Sequence, residues 1–287
     1  MRASGCICSG PSFLTVFSGM SEPTSLDPSA PTGAARPAQE GLWEFITFIV
    51  RAGAILVLVH SLVFQVYNIP TGSLIPTLRV GDYVVASQFS YGFSHYSLPG
   101  FLDWFPQAMP GRIFFSEPKR GDIAVFRPPG DPSENFIKRV IGLPGDTIQL
   151  KDARLYINGA LVDREPLAPY STANPFRDQV AAPHYIETLP GGVSHEIIQI
   201  EGDHGFYSNT GIFVVPPGCY FMMGDNRDNS ADSRVNPEKG GVVGFVPAEN
   251  LVARAQFVLY SSDGAPIWQF WRWPKTMRWD RMLHGVR

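Results

Sequence analysis

The longest apolar stretch in the chain runs from Phe45 to Tyr67, FITFIVRAGAILVLVHSLVFQVY. As a helix it would span roughly 35 Å, enough to cross a hydrocarbon core of about 30 Å. Arg51 sits near one end, where it can snorkel to the headgroups, and His60 is deeper and expected to be neutral. The run begins too late, and lacks an adjacent small-residue cleavage site, to be a removable signal peptide. It predicts a permanent transmembrane anchor over 43–67, with a buried core helix as the alternative. No later run is long and uncharged enough to cross again. Arg36 and Arg51 before the span slightly outweigh Arg79 after it, which favours an inner N-terminus with residues 68–287 outside the cytoplasm.

After Tyr67 the pattern shortens. Strand-like runs recur as YVVASQF, RIFFS, DIAVFR, FIKRVIG, TIQL, RLYING, HEIIQI, GIFVV, CYFMMG, VVGFV and VARAQFVLY, separated by turn signals such as PPGD, LPGD, NGA and PPG. The fold class expected is mostly β: one transmembrane helix, then a β-rich body without internal repeats. Residues 68–149 and 217–267 read as one β core. The stretch from about 150 to 216, with hairpin-like pieces and Pro- and Gly-rich loops, reads as a smaller β insertion within it. Residues 1–42 are rich in Ser, Pro, Ala and Gly and are expected to be disordered, with Met20 an alternative start. The tail 268–287 interleaves tryptophan with arginine, which suits a membrane interface or a fold-back onto the protein's own surface.

Composition narrows this picture. The 287 residues are 44% apolar and 17% charged, and a net charge of −3 with a pI near 6.1 provides no electrostatic footprint for nucleic acid. Of three cysteines, Cys6 and Cys8 lie at the N-terminus and only Cys219 lies in the body, so no disulfide framework is expected there. Cys6 and Cys8 have no companion His or Cys nearby, which makes a metal site improbable by ligand count.

The chemistry begins just past the apolar run. NIPTGSLIPTLRVGD, residues 68–82, holds Thr71, Gly72 and Ser73 between two prolines. A serine nucleophile needs a base, because its hydroxyl is inert at neutral pH. The esterase elbow G-x-S-x-G is absent, and the histidines at 60, 95, 184, 195, 204 and 284 lie in no recognisable triad context. HEIIQ at 195–199 falls short of the zinc motif H-E-x-x-H by its last residue, Gln199, and suits a strand better than a helix.

Lysine is the remaining candidate base, and of five lysines only Lys138 lies inside an apolar strand, beside Phe136, Ile137, Val140 and Ile141. Half neutrality at pH 7 requires a drop of about 3.4 units from 10.4, roughly 5 kcal/mol against the ammonium. Burial can supply such a shift; a strand-edge lysine reaching back to water is the alternative. A third stretch, GDNRDNSADSR at 224–234, has an EF-hand-like alternation at Asp228, Ser230 and Asp232. It lacks the central glycine, and Lys239 stands where the closing Glu belongs. The bland alternative is a polar loop whose side chains satisfy turn amides.

Taken together, the three stretches resemble type I signal peptidases, membrane-bound Ser–Lys serine proteases that remove signal peptides from exported proteins. IPTGSLIPTLRVGDYV is similar to the nucleophile box, FIKRVIGLPGD to the lysine box and GDNRDNSADSR to the C-terminal box, in the family's order and over about residues 43–260. The resemblance implies Ser73 as nucleophile and Lys138 as the neutral amine that takes its proton. It implies an oxyanion hole of the Ser73 N–H and the Thr71 hydroxyl. Ser230 would orient the lysine, Gly224 would allow close backbone approach, and Asp232 and Arg234 would pair to hold the C-terminal box. Ile69, Pro70, Leu74, Leu78, Phe136 and Ile137 would line pockets for the small residues of an A-x-A cleavage site.

By the same resemblance the partners are signal peptides, membrane lipid and the export translocon, with no nucleic acid, metal or cofactor. The location implied is the outer face of a bacterial cytoplasmic membrane. Thr71 stands where serine is common in the family and Leu74 where methionine is usual, and the family's two-span, disulfide-bearing arrangement is not reproduced. A processing protease dedicated to few substrates, and an inactive membrane-tethered scaffold, are the other readings.

Overall fold

The computed structural model describes residues 38–94, 96, 112–174, 177–235, 237, 240–263 and 269–286. Most of the expected disordered tail, with Cys6, Cys8 and Met20, lies outside the described residues, as do His95 and Lys239. The chain divides into two compact units, residues 1–50 and 51–287.

Helix α1 occupies Ala38–Leu62, so it starts inside the stretch expected to be disordered and stops short of Tyr67. Ala38, Gln39 and Glu40 are good helix formers, which accounts for the early start. The late part of the apolar run becomes a strand instead, β1 (Phe64–Asn68). Its Phe, Val and Tyr are strong strand formers, and β1 satisfies its backbone by antiparallel pairing with β2 (Asp82–Ser87), Val66 opposite Val85. Among the described residues no helix is long and apolar enough to cross a membrane.

The remaining strands follow in chain order: β3 (Ile123–Phe126), β4 (Phe136–Gly142), β5 (Thr147–Lys151), β6 (Arg154–Ile157), β7 (Ala160–Leu161), β8 (Asp163–Pro166), β9 (Tyr170–Asn174) and β10 (Arg177–Ala182). After them come β11 (His184–Leu189), β12 (Val193–Ile198), β13 (Phe213–Val214), β14 (Cys219–Met223), β15 (Val246–Pro247) and β16 (Leu251–Ser261). One seven-stranded sheet has the order β1-β2-β16-β3-β4-β14-β15, with every neighbouring pair antiparallel.

Strands β5 to β13 contribute nothing to that sheet. They form three small ones: β13-β5-β6-β7, β12-β11-β8 and β10-β9. The sheet is thus interrupted between Gly142 and Cys219, starting seven residues before and ending two residues after the 150–216 expected. RIFFS forms only an isolated bridge, Ile113 to Phe93, because Phe114 turns left-handed (φ 55°) and points to solvent.

Two apolar clusters flank the strand that carries Lys138. Phe126, Val140, Tyr220, Met222 and Leu251 form one, with Phe136 packed against it. Ile69, Leu74, Leu78, Val84, Ile123 and Val258 form another, with Ile137 against it. Strand β4 lies between β3 and β14 and is buried from Lys138 onward, so a charged side chain in its middle is largely withdrawn from water.

Candidate active site

Residues 71–78, between β1 and β2, fold as consecutive turns, closed by Ile75 N–H to Gly72 O (3.2 Å) and Leu78 N–H to Leu74 O (2.9 Å). Leu74 and Leu78 are fully buried and anchor this segment in the core, which presents Ser73 on its inner side. From β4, Lys138 reaches the segment, and its Nζ lies 2.7 Å from Ser73 Oγ and 3.1 Å from Ile137 O. Both side chains are buried, at 5% and 7% exposure. The amine also lies 5.5 Å from the Phe136 ring centre.

Burial lowers the Lys138 pKa to about 8, against the opposing pull of the Asp232 and Asp225 carboxylates. About one amine in ten is therefore neutral at pH 7 and half at pH 8, a shift smaller than half neutrality at pH 7 requires. A neutral amine in this contact accepts the serine proton; the protonated one donates to Oγ instead. An arrangement of this kind can act as a nucleophile with its base.

Consecutive side chains on a strand point to opposite faces. Lys138 goes to Ser73; its neighbour Arg139 goes the other way and forks onto Asp225, Nε to Oδ1 at 2.8 Å and Nη2 to Oδ2 at 2.7 Å. Thr77 Oγ1 donates to Asp225 Oδ2 (2.6 Å), and Arg139 Nη1 donates to Gly121 O (2.8 Å). Burial works to raise the Asp225 pKa, but the Arg139 guanidinium outweighs it and holds the carboxyl below its ordinary range. Asn226 completes the attachment: its backbone N–H donates to Ser73 O (3.1 Å) and its Nδ2 to Gly72 O (3.2 Å). Asn226 thus grips the serine segment by its carbonyls, and Asp225 holds it through the Thr77 hydroxyl.

The rest of the acidic loop folds on itself. Arg234 forks onto Asp232, Nε to Oδ1 and Nη2 to Oδ2 both at 2.8 Å, and donates to Arg227 O at 2.6 Å. Asp232 also accepts the Gly224 N–H (3.1 Å). Burial opposes ionisation of Asp232, yet the Arg234 charge and these hydrogen bonds hold its pKa below the usual value.

Gly224 is tightly enclosed. A Cβ there would come within 2.5 Å of Ser73 O and 2.3 Å of Ser230 Oγ. Ser230 is buried, and its hydroxyl makes no hydrogen bond of normal geometry to Lys138 or to any other described residue, although it lies close enough to Asp232 to help lower that carboxyl's pKa.

Not every residue expected at the site faces it. Ile69, Leu74 and Leu78 are at most 1% exposed and form the floor beneath the serine segment. Leucine and isoleucine at these positions are taken up by packing against Val84 and Val258. The apolar surface left beside the pair belongs to Pro70, Phe136 and Ile137, and Thr71 is exposed next to it.

Arg139, Asp225, Asn226 and Thr77 were not singled out from the sequence, although each lies inside a motif that was. The insertion also touches the site region. Glu187 on β11 pairs with Arg227, Ile198 N–H donates to Asp225 O (3.0 Å), and Arg227 N–H donates to Ile198 O (3.0 Å). His195 on β12 sits 3.6 Å from Glu187 and 3.9 Å from Asp225 with no hydrogen bond to either ring nitrogen. Its burial, reinforced by the Arg139 charge, holds its pKa well below the ordinary histidine value. No group of three or more His, Cys, Asp or Glu among the described residues could hold a metal ion.

A family model described as signal peptidase, peptidase S26, matches residues 42–260. The signal peptidase I of Rickettsia conorii is 43% identical over 225 residues, 77% of this chain and 79% of that protein. That of Rickettsia canadensis is 44% identical over 230 residues, covering 78% and 80%. A signal peptidase I of solved structure from Enterococcus faecalis V583 is 26% identical, covering 48% of this chain and 97% of that one at a TM-score of 0.27, so the family rests on the sequence matches.

Proposed function

This chain belongs to the peptidase S26 family of signal peptidases, and on that premise we propose that it removes signal peptides from exported preproteins by Ser–Lys acyl transfer at Ser73 and Lys138. The observation that carries the reading is the 2.7 Å contact between Lys138 Nζ and Ser73 Oγ inside an apolar enclosure.

In this mechanism neutral Lys138 takes the Ser73 proton as Oγ attacks the scissile carbonyl carbon. The resulting oxyanion is held by the Ser73 N–H and the Thr71 hydroxyl. Collapse breaks the C–N bond, and Lys138 gives its proton to the departing amine. A water, deprotonated by the same amine, then cleaves the acyl ester and restores Ser73. Gly224 and the Asp232–Arg234 pair hold the loop that grips Ser73. Ser230 lies within the same loop, and a rotation of its hydroxyl toward the amine on substrate binding would let it orient Lys138. Pro70, Phe136 and Ile137 would bound the site for small side chains of A-x-A sequences, over the floor of Ile69, Leu74 and Leu78.

Residues 68–149 and 217–267 form the catalytic part in this reading, and 150–216 the noncatalytic insertion. The enzyme acts at the outer side of a bacterial cytoplasmic membrane, attached through the apolar region around α1. Large apolar side chains such as Trp43, Phe48 and Leu56 are more than half exposed there, as lipid-facing residues would be. Membrane lipid and the translocon are its surroundings, and the preprotein's signal peptide is its substrate.

The test is incubation of the purified full chain in detergent with a signal-peptide-bearing precursor, reading the new N-terminus. Ser73→Ala, Lys138→Ala and Lys138→Arg should each be inactive, the last because guanidinium stays protonated. Full activity in any of them would overturn the mechanism. Cleavage of many unrelated precursors would set this enzyme apart from a dedicated processing protease.

A further inference from the structure

The C-terminal segment carries an arginine that reaches the far end of the serine turn, at Thr77. Residues 277–286 fold back onto β16: Leu283 N–H donates to Val258 O (2.7 Å), Val258 N–H to His284 O (2.9 Å) and Val286 N–H to Gln256 O (2.8 Å). This places Arg281, only 8% exposed, beside the fully buried Asp82. Arg281 Nε lies 3.2 Å from Asp82 Oδ1, and its Nη2 donates both to Asp82 Oδ2 and to Thr77 O, the latter at 3.0 Å. Asp82 also accepts the Arg79 N–H at 2.9 Å and the Ser261 hydroxyl.

Thr77 is where two constraints meet. Its carbonyl belongs to Arg281, and its hydroxyl donates to Asp225 (2.6 Å), the partner of Arg139 next to Lys138. The turn that presents Ser73 is therefore held at its start by Asn226 and at its end by Arg281. A planar guanidinium that forks onto a carboxylate through Nε and Nη2, with Nη2 also donating to a carbonyl, fixes direction as well as distance, which an ammonium cannot do.

We propose that Arg281 is a positioning residue for Ser73: the C-terminal segment acts as a brace that sets the height and angle of the hydroxyl relative to Lys138 without touching substrate. The inference rests on Ser73 being the nucleophile. A displacement of the turn of about 1 Å costs up to ~100-fold in rate, so the effect belongs in kcat rather than in KM.

The experiment compares full-length Arg281→Ala, Arg281→Lys and the exposed-surface control Arg272→Ala in detergent, at a temperature well below the unfolding of each. Precursor cleavage is read as kcat and KM separately, beside Ser73→Ala. Arg281→Lys, which keeps the charge and should fold even where Arg281→Ala does not, is expected to lose about tenfold or more in kcat. Its KM should stay within about threefold and its acid limb should keep the same midpoint, since Lys138 keeps its surroundings. Guanidinium ion at millimolar concentration should restore part of the activity of a folded Arg281→Ala.

A lowered unfolding temperature with unchanged kcat, or a loss confined to KM, would reduce Arg281 to a structural contact and overturn the proposal. If Ser73→Ala retained activity, the mechanism itself would fall. If Ser73→Ala were dead while Arg281→Lys kept full kcat, the brace alone would fall.

Discussion

Replacing Lys138 with methionine should abolish cleavage and stabilise the protein near neutral pH. Burial lowers the amine's pKa from 10.5 to about 8, so each folded molecule that carries the ammonium below pH 8 bears roughly 3 kcal/mol of unfavourable free energy. Methionine has similar length, no charge and apolar neighbours in Phe136 and Ile137. Against the gain stand two lost hydrogen bonds, to Ser73 Oγ and Ile137 O, at about 1 kcal/mol each. The net expectation at pH 7 is about 1 kcal/mol of stabilisation, a rise of roughly 2–4 °C for a domain of this size.

The pH dependence is the sharper test, because the lost hydrogen bonds do not enter it. Between pH 8 and 10.5 the unfolded amine is still protonated while the folded one is not, so the unfolded state binds more protons and wild-type stability rises with pH. The advantage of Lys138→Met should therefore shrink by about 2.5 kcal/mol between pH 7 and pH 10. Urea unfolding of both proteins across that range measures the difference, and other titrating groups cancel in it. A stability difference that does not change with pH would mean that the amine is not desolvated, and the reasoning would fail.

Two further outcomes follow from the same geometry. Wild-type kcat/KM for precursor cleavage should rise with pH through a midpoint near 8 and fall about tenfold per unit below pH 7, as the neutral amine is lost; a flat profile from pH 6 to 9 would exclude Lys138 as base. Gly224→Ala should lose at least about tenfold in cleavage and 1–3 kcal/mol in stability, because the new Cβ must displace the Ser73 carbonyl that lies 2.5 Å away. Activity and unfolding assays on this variant check both numbers, and near-wild-type values would mean that the turn yields freely.

What could be anticipated from the sequence was whatever depended on neighbours along the chain. Lys138 stands in FIKRVIG, and an apolar run of that length in a β-rich chain becomes a strand buried on both faces. Those neighbours allow desolvation but equally allow a strand-edge lysine reaching water, and the place of β4 between β3 and β14 decides for burial. HEIIQI as strand β12 followed in the same way. The helix boundary did not. VFQVY continues the apolar composition of α1, and only pairing with β2, more than a dozen residues later, decides that Phe64–Asn68 is extended. Strands β8 to β11 were also hidden. DREP, YSTAN and RDQVAA are polar, and they pair within small sheets of their own rather than against the main core.

The candidate site divides along the same line. Its chemistry is a local property, a hydroxyl and an amine each set in an apolar surround, whereas its rigidity comes from partners far apart in the chain. Arg139 finds Asp225 across 86 residues, and Arg281 finds Asp82 across 199. Nothing in the spacing of a lone arginine and a lone aspartate says that they meet, because any surface charge would look the same. Burial separates the two cases: leaving either carboxylate without its guanidinium would strand a charge in the interior at a cost of about 3–5 kcal/mol. Leu74 and Leu78 show the same limit from the apolar side. Hydrophobic residues next to a nucleophile can line a pocket or anchor a turn, and their zero exposure assigns them here to the anchor. A turn pinned by two leucines below and by Asn226 and Arg281 at its ends can hold a hydroxyl within hydrogen-bonding reach of a desolvated amine.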